Sequence, residues 1–114
     1  MPELKIENRI WDAAESMPRA DLEALQLERL RDCVARAAQS PFYKEAFARA
    51  QAGPDNINTL HDVRRLPFTT KQDMRDTYPL GLLAVPRDQV VRIHGSSGTT
   101  GKPTFVAYTR RDLR

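Results

Sequence analysis

The residues best suited to chemistry form one run of eight glycine, serine, threonine and lysine residues at positions 95–102 of this 114-residue sequence. Its three glycines let the backbone turn tightly and approach a ligand closely. Lys102 adds a mobile positive charge with several donors. A surface turn needs only one or two such residues. The run therefore predicts a phosphate-binding loop, in which backbone N–H groups and hydroxyls surround phosphate oxygens, the hydroxyls being those of Ser96, Ser97, Thr99 and Thr100.

The loop departs from the Walker A motif, whose pattern is G-x-x-x-x-G-K-[ST] followed by a helix. Gly101 and Lys102 match that pattern, but Ser96 stands where the first glycine should be. Pro103 replaces the serine or threonine that binds magnesium, and a strand is predicted to follow instead of a helix. The chemistry of P-loop nucleotide hydrolases is therefore not expected.

Two strands are predicted to position the loop. Val90, Val91 and Ile93 are β-branched and favour a strand, which follows a tight turn predicted at 86–89. A second strand is predicted over 104–108. The order strand, loop, strand places both ends of the loop at one end of a strand pair.

Helices are predicted ahead of the strands. Apolar side chains recur at helical spacing over 18–38, with Pro18 in the first turn, and the inward face is predicted to hold Leu22, Leu25, Leu30, Cys33, Val34 and Ala37. Trp11 is predicted to anchor the loosely docked residues 1–17.

Capping residues delimit two further helices. The second is predicted over 41–52, with Ser40 as its N-cap and Phe42, Ala46, Phe47 and Ala50 on one face. The third is predicted over 59–66, with Asn58 as its cap and Val63 facing inward.

Two threonine–aspartate pairs resemble capping boxes. Thr70 with Asp73 predicts a fourth helix, which ends before position 79. Thr109 with Asp112 announces another helix, yet the sequence stops at Arg114. One helical turn is not stable alone, and the second strand needs sheet neighbours. We therefore expect these residues to be the front part of a longer protein.

Composition suits one globular domain, with 40% apolar and 29% charged residues. Residues 86–114 carry six basic and two acidic residues, net +4, whereas 1–85 carry 12 and 13, net −1. The positive charge is local to the loop segment, so a nucleic-acid-binding stripe is not expected.

The longest uncharged apolar stretch, 78–86, is too short to span a membrane. A single cysteine, Cys33, excludes an internal disulfide and a cysteine zinc site, and favours the reducing cytoplasm.

The motif SSGTTGKP at 96–103 resembles the phosphate-binding signature of the acyl-adenylate-forming superfamily. Within that group, the preceding sequence resembles the phenylacetate–coenzyme A ligase family, through LEALQ with Leu30, SPFY, LPFTTK and YPLG at 22–30, 40–43, 66–71 and 78–81. The resemblance implies an α/β parent enzyme with the adenylate-forming fold. This chain would be its mostly helical N-terminal region, 1–85, followed by the start of the adenylation core, 86–114, a strand–phosphate loop–strand unit.

The resemblance also implies an activity. The loop would close over the β- and γ-phosphates of ATP, with Mg²⁺ sharing the charge, and Lys102 as the catalytic cation. An aryl or acyl carboxylate would be converted to an acyl-adenylate, and coenzyme A would then displace AMP to give a thioester. The nucleotide-binding residues implied are Ser96, Ser97, Gly98, Thr99, Thr100, Gly101 and Lys102. Homodimers through the helical region 18–78 are implied, and the family's remaining motifs would lie beyond Arg114.

Two alternatives remain at the level of sequence. The chain could be a short helical interaction module with a vestigial loop, or a relative that adenylates a different acid.

His94, which precedes the loop, is interpreted chiefly as a strand-end residue, and Lys71 as a solvated residue in the first turn of a helix.

Overall fold

The computed structural model describes residues 9–97 and 101–114. The first helix, α1, spans Arg19–Ala37 and begins directly after Pro18. It confirms the helix predicted over 18–38. Four short 3₁₀ turns occur among the described residues, at Ala13–Ser16, Pro54–Asn56, Leu60–Arg65 and Arg87–Gln89.

The second helix, α2, spans Pro41–Ala50, with proline in its first turn as predicted. Ser40 occupies the N-cap position, but its side chain makes no capping hydrogen bond. Ser40 is fully buried, and its hydroxyl donates instead to the carbonyl oxygen of Gly81 at 3.4 Å. The residue predicted as a local cap therefore ties α2 to a segment far along the chain. Gln51 ends the helix in the left-handed conformation, with φ of 50°.

The predicted third helix is the 3₁₀ turn Leu60–Arg65, and its N-cap is Thr59 instead of Asn58. The Asp62 carboxylate accepts hydrogen bonds from the backbone N–H groups of both Asn58 and Thr59, at 2.9 and 2.8 Å. The predicted fourth helix, α3, spans Lys71–Asp76.

The α3 capping box forms as the sequence predicts. The backbone N–H of Thr70 donates to Asp73 Oδ2 at 2.7 Å, and the backbone N–H of Asp73 donates to the Thr70 hydroxyl at 3.2 Å. This reciprocal pairing satisfies donors that the first turn of a helix leaves open.

The core lies where α1 and α2 meet the segment between the second and third 3₁₀ turns. Val34, Phe47 and Ile57 form its buried cluster, covered by the partly buried side chains of Leu27, Leu30, Ala37, Ala38, Tyr43 and Leu66. Arg31 fastens α1 to this segment, because its Nε donates to the Ile57 carbonyl at 2.8 Å. Burying one large apolar side chain contributes about 1.5–3 kcal/mol.

Four residues predicted to pack inward are exposed. Trp11 is 92% exposed and Val63 49%, and Cys33 and Ala50 are also exposed. The small core contacts one narrow stripe of α1, formed by Leu27, Leu30, Val34 and Ala37, and the neighbouring position 33 falls outside it. Trp11 directly precedes a capping box between Asp12 and Glu15. The hydrogen bonds of this box form within the segment itself.

The predicted strands form one antiparallel pair, β1 at Val90–Gly95 and β2 at Phe105–Thr109. Ile93 faces Ala107 in the register, and the register shifts between Val90 and Arg92. No third strand joins them among residues 9–97 and 101–114. The pair therefore brings the two ends of the predicted phosphate loop together.

After β2 the chain forms a turn, not the predicted helix. The Asp112 carboxylate nevertheless accepts from the Thr109 backbone N–H at 2.7 Å and from its hydroxyl at 2.8 Å. The hydrogen bonds from Thr109 to the Asp112 side chain, which are one part of the predicted capping box, are therefore present.

Candidate functional site

A dense set of hydrogen bonds closes the base of the predicted phosphate loop. The Ser96 N–H donates to the Thr104 carbonyl at 3.0 Å, and the Thr104 N–H donates to Ser96 Oγ at 3.1 Å. The two hydroxyls also contact each other at 2.7 Å. The Ser96 hydroxyl, predicted to bind phosphate, is therefore engaged in holding the two ends of the loop together.

The structure describes only part of the rest of the loop. Ser97, Gly101 and Lys102 are exposed. Gly101 has φ of +85°, in the left-handed region that glycine adopts at no steric cost, and, apart from its chain neighbours, no atom of the described residues lies within 4 Å of where a Cβ would stand. The predicted phosphate-binding residues Gly98, Thr99 and Thr100 lie outside the described residues.

Aromatic side chains lie beneath the Lys102 end of the loop. Lys102 Nζ lies 5.4 Å from the centre of the Tyr78 ring, within cation–π range. The Tyr78 ring in turn lies 5.4 Å from the Phe105 ring. Phe105 also covers Gly95, where an added Cβ would come within 2.5 Å of Phe105 Cε1. Gly95 is therefore required for close packing under the ring.

The supporting role of Tyr78 and Phe105 was not predicted from the sequence. Tyr78 lies two residues after the end of α3, and Phe105 begins β2, so neither belongs to the glycine-rich run. The YPLG match was a signal for Tyr78, but it gave no indication that the ring lies under Lys102.

A polar groove of about 510 Å³ lies between α3 and the end of the loop, lined by Gln72, Arg75, Asp76, Gly101 and Lys102. Arg75 is partly buried, and its Nε is inaccessible and has no hydrogen-bond partner among the described residues. The groove thus presents two cationic side chains from different elements. Such a combination suits an anion, because phosphate charge is spread over several oxygens.

The carboxylates around α3 are already engaged. Asp76 Oδ1 accepts from Gln72 Nε2 at 2.7 Å. The backbone N–H and hydroxyl of Thr70 lower the pKa of Asp73 below its usual value. Asp73 therefore stays ionised at neutral pH as part of the helix cap.

His94 and Lys71, which were not predicted to bind a ligand, lie in different surroundings. His94 is exposed and packs its ring against Tyr108, with centres 4.8 Å apart, which agrees with a strand-end role. Lys71 is exposed in the first turn of α3, as predicted.

An apolar groove of about 320 Å³ lies between residues 79–85 and β2. Gly81 is tightly enclosed at this place, because an added Cβ would come within 2.1 Å of Thr77 Cβ. Within the described ranges no three His, Cys, Asp or Glu side chains gather as metal ligands, and no helix has the length and apolar character needed to cross a bilayer.

Solved structures with similar folds are acyl-CoA ligases. A 2-hydroxyisobutyryl-CoA ligase in complex with 2-HIB-AMP and CoA is 31% identical and superposes with a TM-score of 0.78, over 92% of this chain and 25% of that chain. An open conformation of the same ligase has a TM-score of 0.74 at 29% identity, over 84% of this chain and 22% of that one. This chain therefore has the fold of a part of the adenylate-forming CoA ligases, an α/β class of enzyme.

Curated relatives of higher sequence identity carry a more specific name than the solved structures. The phenylacetate–coenzyme A ligase of Thermus thermophilus is 52% identical over 88% of this chain and 23% of that protein. The Escherichia coli K12 enzyme of the same name is 48% identical over 95% of this chain and 25% of that protein. No protein-family model matches the sequence. The chain is similar to phenylacetate–coenzyme A ligases over most of its own length, and it spans about a quarter of the length of the curated relatives it matches.

Proposed function

We propose that this chain is the nucleotide-phosphate-binding part of an AMP-forming ligase that activates phenylacetate or a related aryl acid. The supporting observation is the loop at 95–102, closed at its base by the Ser96–Thr104 pair, in a sequence about half identical to phenylacetate–coenzyme A ligases. In the proposed reaction the carboxylate attacks the α-phosphorus of ATP and releases pyrophosphate. The thiol of coenzyme A then attacks the acyl carbon and releases AMP.

The residues present fit a polyphosphate ligand. Exposed hydroxyl, backbone N–H and ammonium groups at Ser97, Gly101 and Lys102 are donors to anions. Lys102 would neutralise charge that develops on the departing phosphates, and the predicted donors at Gly98, Thr99 and Thr100 would complete the loop. Mg²⁺ commonly binds through substrate phosphates and one or two carboxylates, and it would share that charge when bound. Neither step requires a nucleophile from this chain.

We infer the class of acid from the relatives of this chain. Phenylacetate is favoured because the relatives named for it are 48–52% identical. A second candidate is a short hydroxy acid, since the similar structures are 2-hydroxyisobutyryl-CoA ligases at 28–31% identity. The higher identity makes the aryl acid the first choice.

We also propose a division of the chain into two regions. Residues 1–85 would form the helical N-terminal region and 86–114 the start of the adenylation core, in a cytoplasmic enzyme. A homodimer through the helical region stays a prediction.

The test is AMP release by the full-length protein that carries this chain. With ATP, Mg²⁺, coenzyme A and phenylacetate we expect AMP and phenylacetyl-CoA in equal amounts, measured by chromatography. Omitting coenzyme A should leave pyrophosphate release limited to about one equivalent per active site. A panel of aryl acids and 2-hydroxyisobutyrate ranks the substrates. No AMP release with any acid on the panel would refute the proposed function.

A further inference from the structure

Arg75 carries a buried side-chain donor that the described part of the fold leaves unpaired. It lies in the last turn of α3, and its Nε is buried without a hydrogen-bond partner among the described residues. A guanidinium has five N–H donors and no acceptor. Leaving a buried donor unpaired is unfavourable, so such a group calls for an explanation.

The carboxylates nearest in sequence do not supply the missing partner. Asp73 accepts from the Thr70 N–H and hydroxyl, at 2.7 and 2.8 Å, and Asp76 accepts from Gln72. No ion pair joins Arg75 to an acidic side chain within residues 9–97 and 101–114. The described residues therefore leave the Arg75 guanidinium without an acidic partner.

The groove beside Arg75 has the size and charge for an anion. Arg75 and Lys102 both line it, with Asp76 as its acidic residue, and the volume of about 510 Å³ lies within the range of small-molecule sites. Tyr78 holds the Lys102 ammonium group at 5.4 Å from its ring centre. The two cations thus come from separate elements, α3 and the end of the loop, and share one opening.

We propose that Arg75 and Lys102 form a subsite for a diphosphate group, with the planar guanidinium binding phosphate oxygens as a fork and the ammonium acting as a point charge. The inference rests on the proposed function only for the occupant, which would be the β- and γ-phosphates of ATP and the pyrophosphate that leaves. It extends the nucleotide site from the glycine-rich loop to α3, a segment that the loop motif does not include.

The probe is inorganic pyrophosphate, and the readout is calorimetric binding to the full-length protein without ATP or acid. Arg75→Gln should weaken binding by about tenfold or more, as expected for loss of a charge-assisted contact. Arg75→Lys should bind with intermediate strength. The matched control Arg64→Gln removes the same charge from an exposed arginine outside the groove, and its affinity should stay within about twofold of wild type.

A structural role for Arg75 is separated from a binding role by two measurements. The dependence of pyrophosphate affinity on salt should become shallower in Arg75→Gln, because one cationic contact is lost. If that variant has a lowered Tm, Arg75→Met, which keeps the apolar stem, replaces it in the comparison.

Pyrophosphate affinity within twofold of wild type in a folded Arg75→Gln or Arg75→Met variant would overturn the subsite, as would an equal loss in Arg64→Gln.

The two proposals, the ligase activity and the diphosphate subsite, can be refuted separately. Pyrophosphate binding through Arg75 in a protein that releases no AMP refutes the ligase and keeps the subsite. Normal AMP release with unchanged pyrophosphate inhibition in Arg75→Gln refutes the subsite and keeps the ligase.

Discussion

At the scale of single residues, the loop side chains have unequal roles. The Ser96 hydroxyl is engaged with Thr104, whereas Lys102 is exposed and rests over the face of Tyr78. A lysine side chain has many rotamers, and fixing it costs conformational entropy. In the proposed site the aromatic ring would reduce that cost by holding the ammonium group near the groove before a ligand binds.

Lys102→Ala is expected to slow single-turnover formation of the acyl-adenylate in the full-length protein by about 10²-fold or more, the usual effect of removing one preorganised charge-stabilising group. Tyr78→Leu should slow it by about two- to fivefold, since an exposed cation–π contact contributes about 0.5–1 kcal/mol. Tyr78→Phe keeps the ring and serves as the control. An unchanged rate in Lys102→Ala would remove Lys102 from the mechanism.

At the scale of elements, three Thr-x-x-Asp pairs organise the ends of short segments. They are Thr59 with Asp62, Thr70 with Asp73, and Thr109 with Asp112. In each pair the backbone N–H of the threonine is the largest cause that lowers the aspartate pKa. The sequence predicted two of these pairs, because a capping box depends only on residues three positions apart.

The capping aspartates should make stability depend on pH. Their folded-state pKa values lie below the unfolded value of 3.8, so their contribution is present above that pH. It is lost as the pH falls through the folded-state pKa values. Asp73→Asn should therefore lower the Tm of the full-length protein at pH 7, and the difference from wild type should shrink below pH 3.8.

Circular dichroism melts across this pH range check the prediction. Asp55→Asn is the matched control, since it changes an exposed aspartate outside the three pairs. A Tm difference that is the same at pH 7 and at pH 3 would contradict the cap as its source.

At the scale of the whole molecule, the core is small for the length of the chain. The buried apolar residues of the described ranges are Val34, Ala46, Phe47, Ala52 and Ile57. The Cα radius of gyration is 18.1 Å, against about 13 Å expected for a globular domain of this length. Val91 and Ile93 on β1 remain about half exposed, at 50% and 51%. The strand pair and the groove beside residues 79–85 are therefore incompletely covered.

The 114-residue chain alone is expected to unfold over a broad temperature range and to bind the dye ANS, because apolar surface is exposed and few side chains are locked in a core. Differential scanning calorimetry and ANS fluorescence measure both properties. A sharp two-state transition with an unfolding enthalpy of roughly 80 kcal/mol and no ANS binding would show a self-sufficient domain. That result would favour the interaction-module alternative.

The sequence by itself determined the features that depend on near neighbours. Helical periodicity gave α1, threonine–aspartate spacing gave the caps of α3 and of the last turn, and β-branched residues gave β1. The glycine-rich run and the flanking motifs were sufficient to predict the similarity to CoA ligases, whereas phosphate binding by the loop stays a prediction. These signals are local, because each arises from backbone hydrogen bonds or side-chain contacts within a few residues.

Only the tertiary structure decided which side chains these elements bury and which they bring to the loop. Ser40 donates to Gly81 across 41 residues instead of capping its own helix, and Cys33 and Trp11 face solvent. Tyr78, from outside the loop motif, lies under Lys102, and Arg75 lines the same groove as Lys102. Such contacts depend on how distant segments pack together, and that packing is set by the shape of a shared core, which no local pattern specifies.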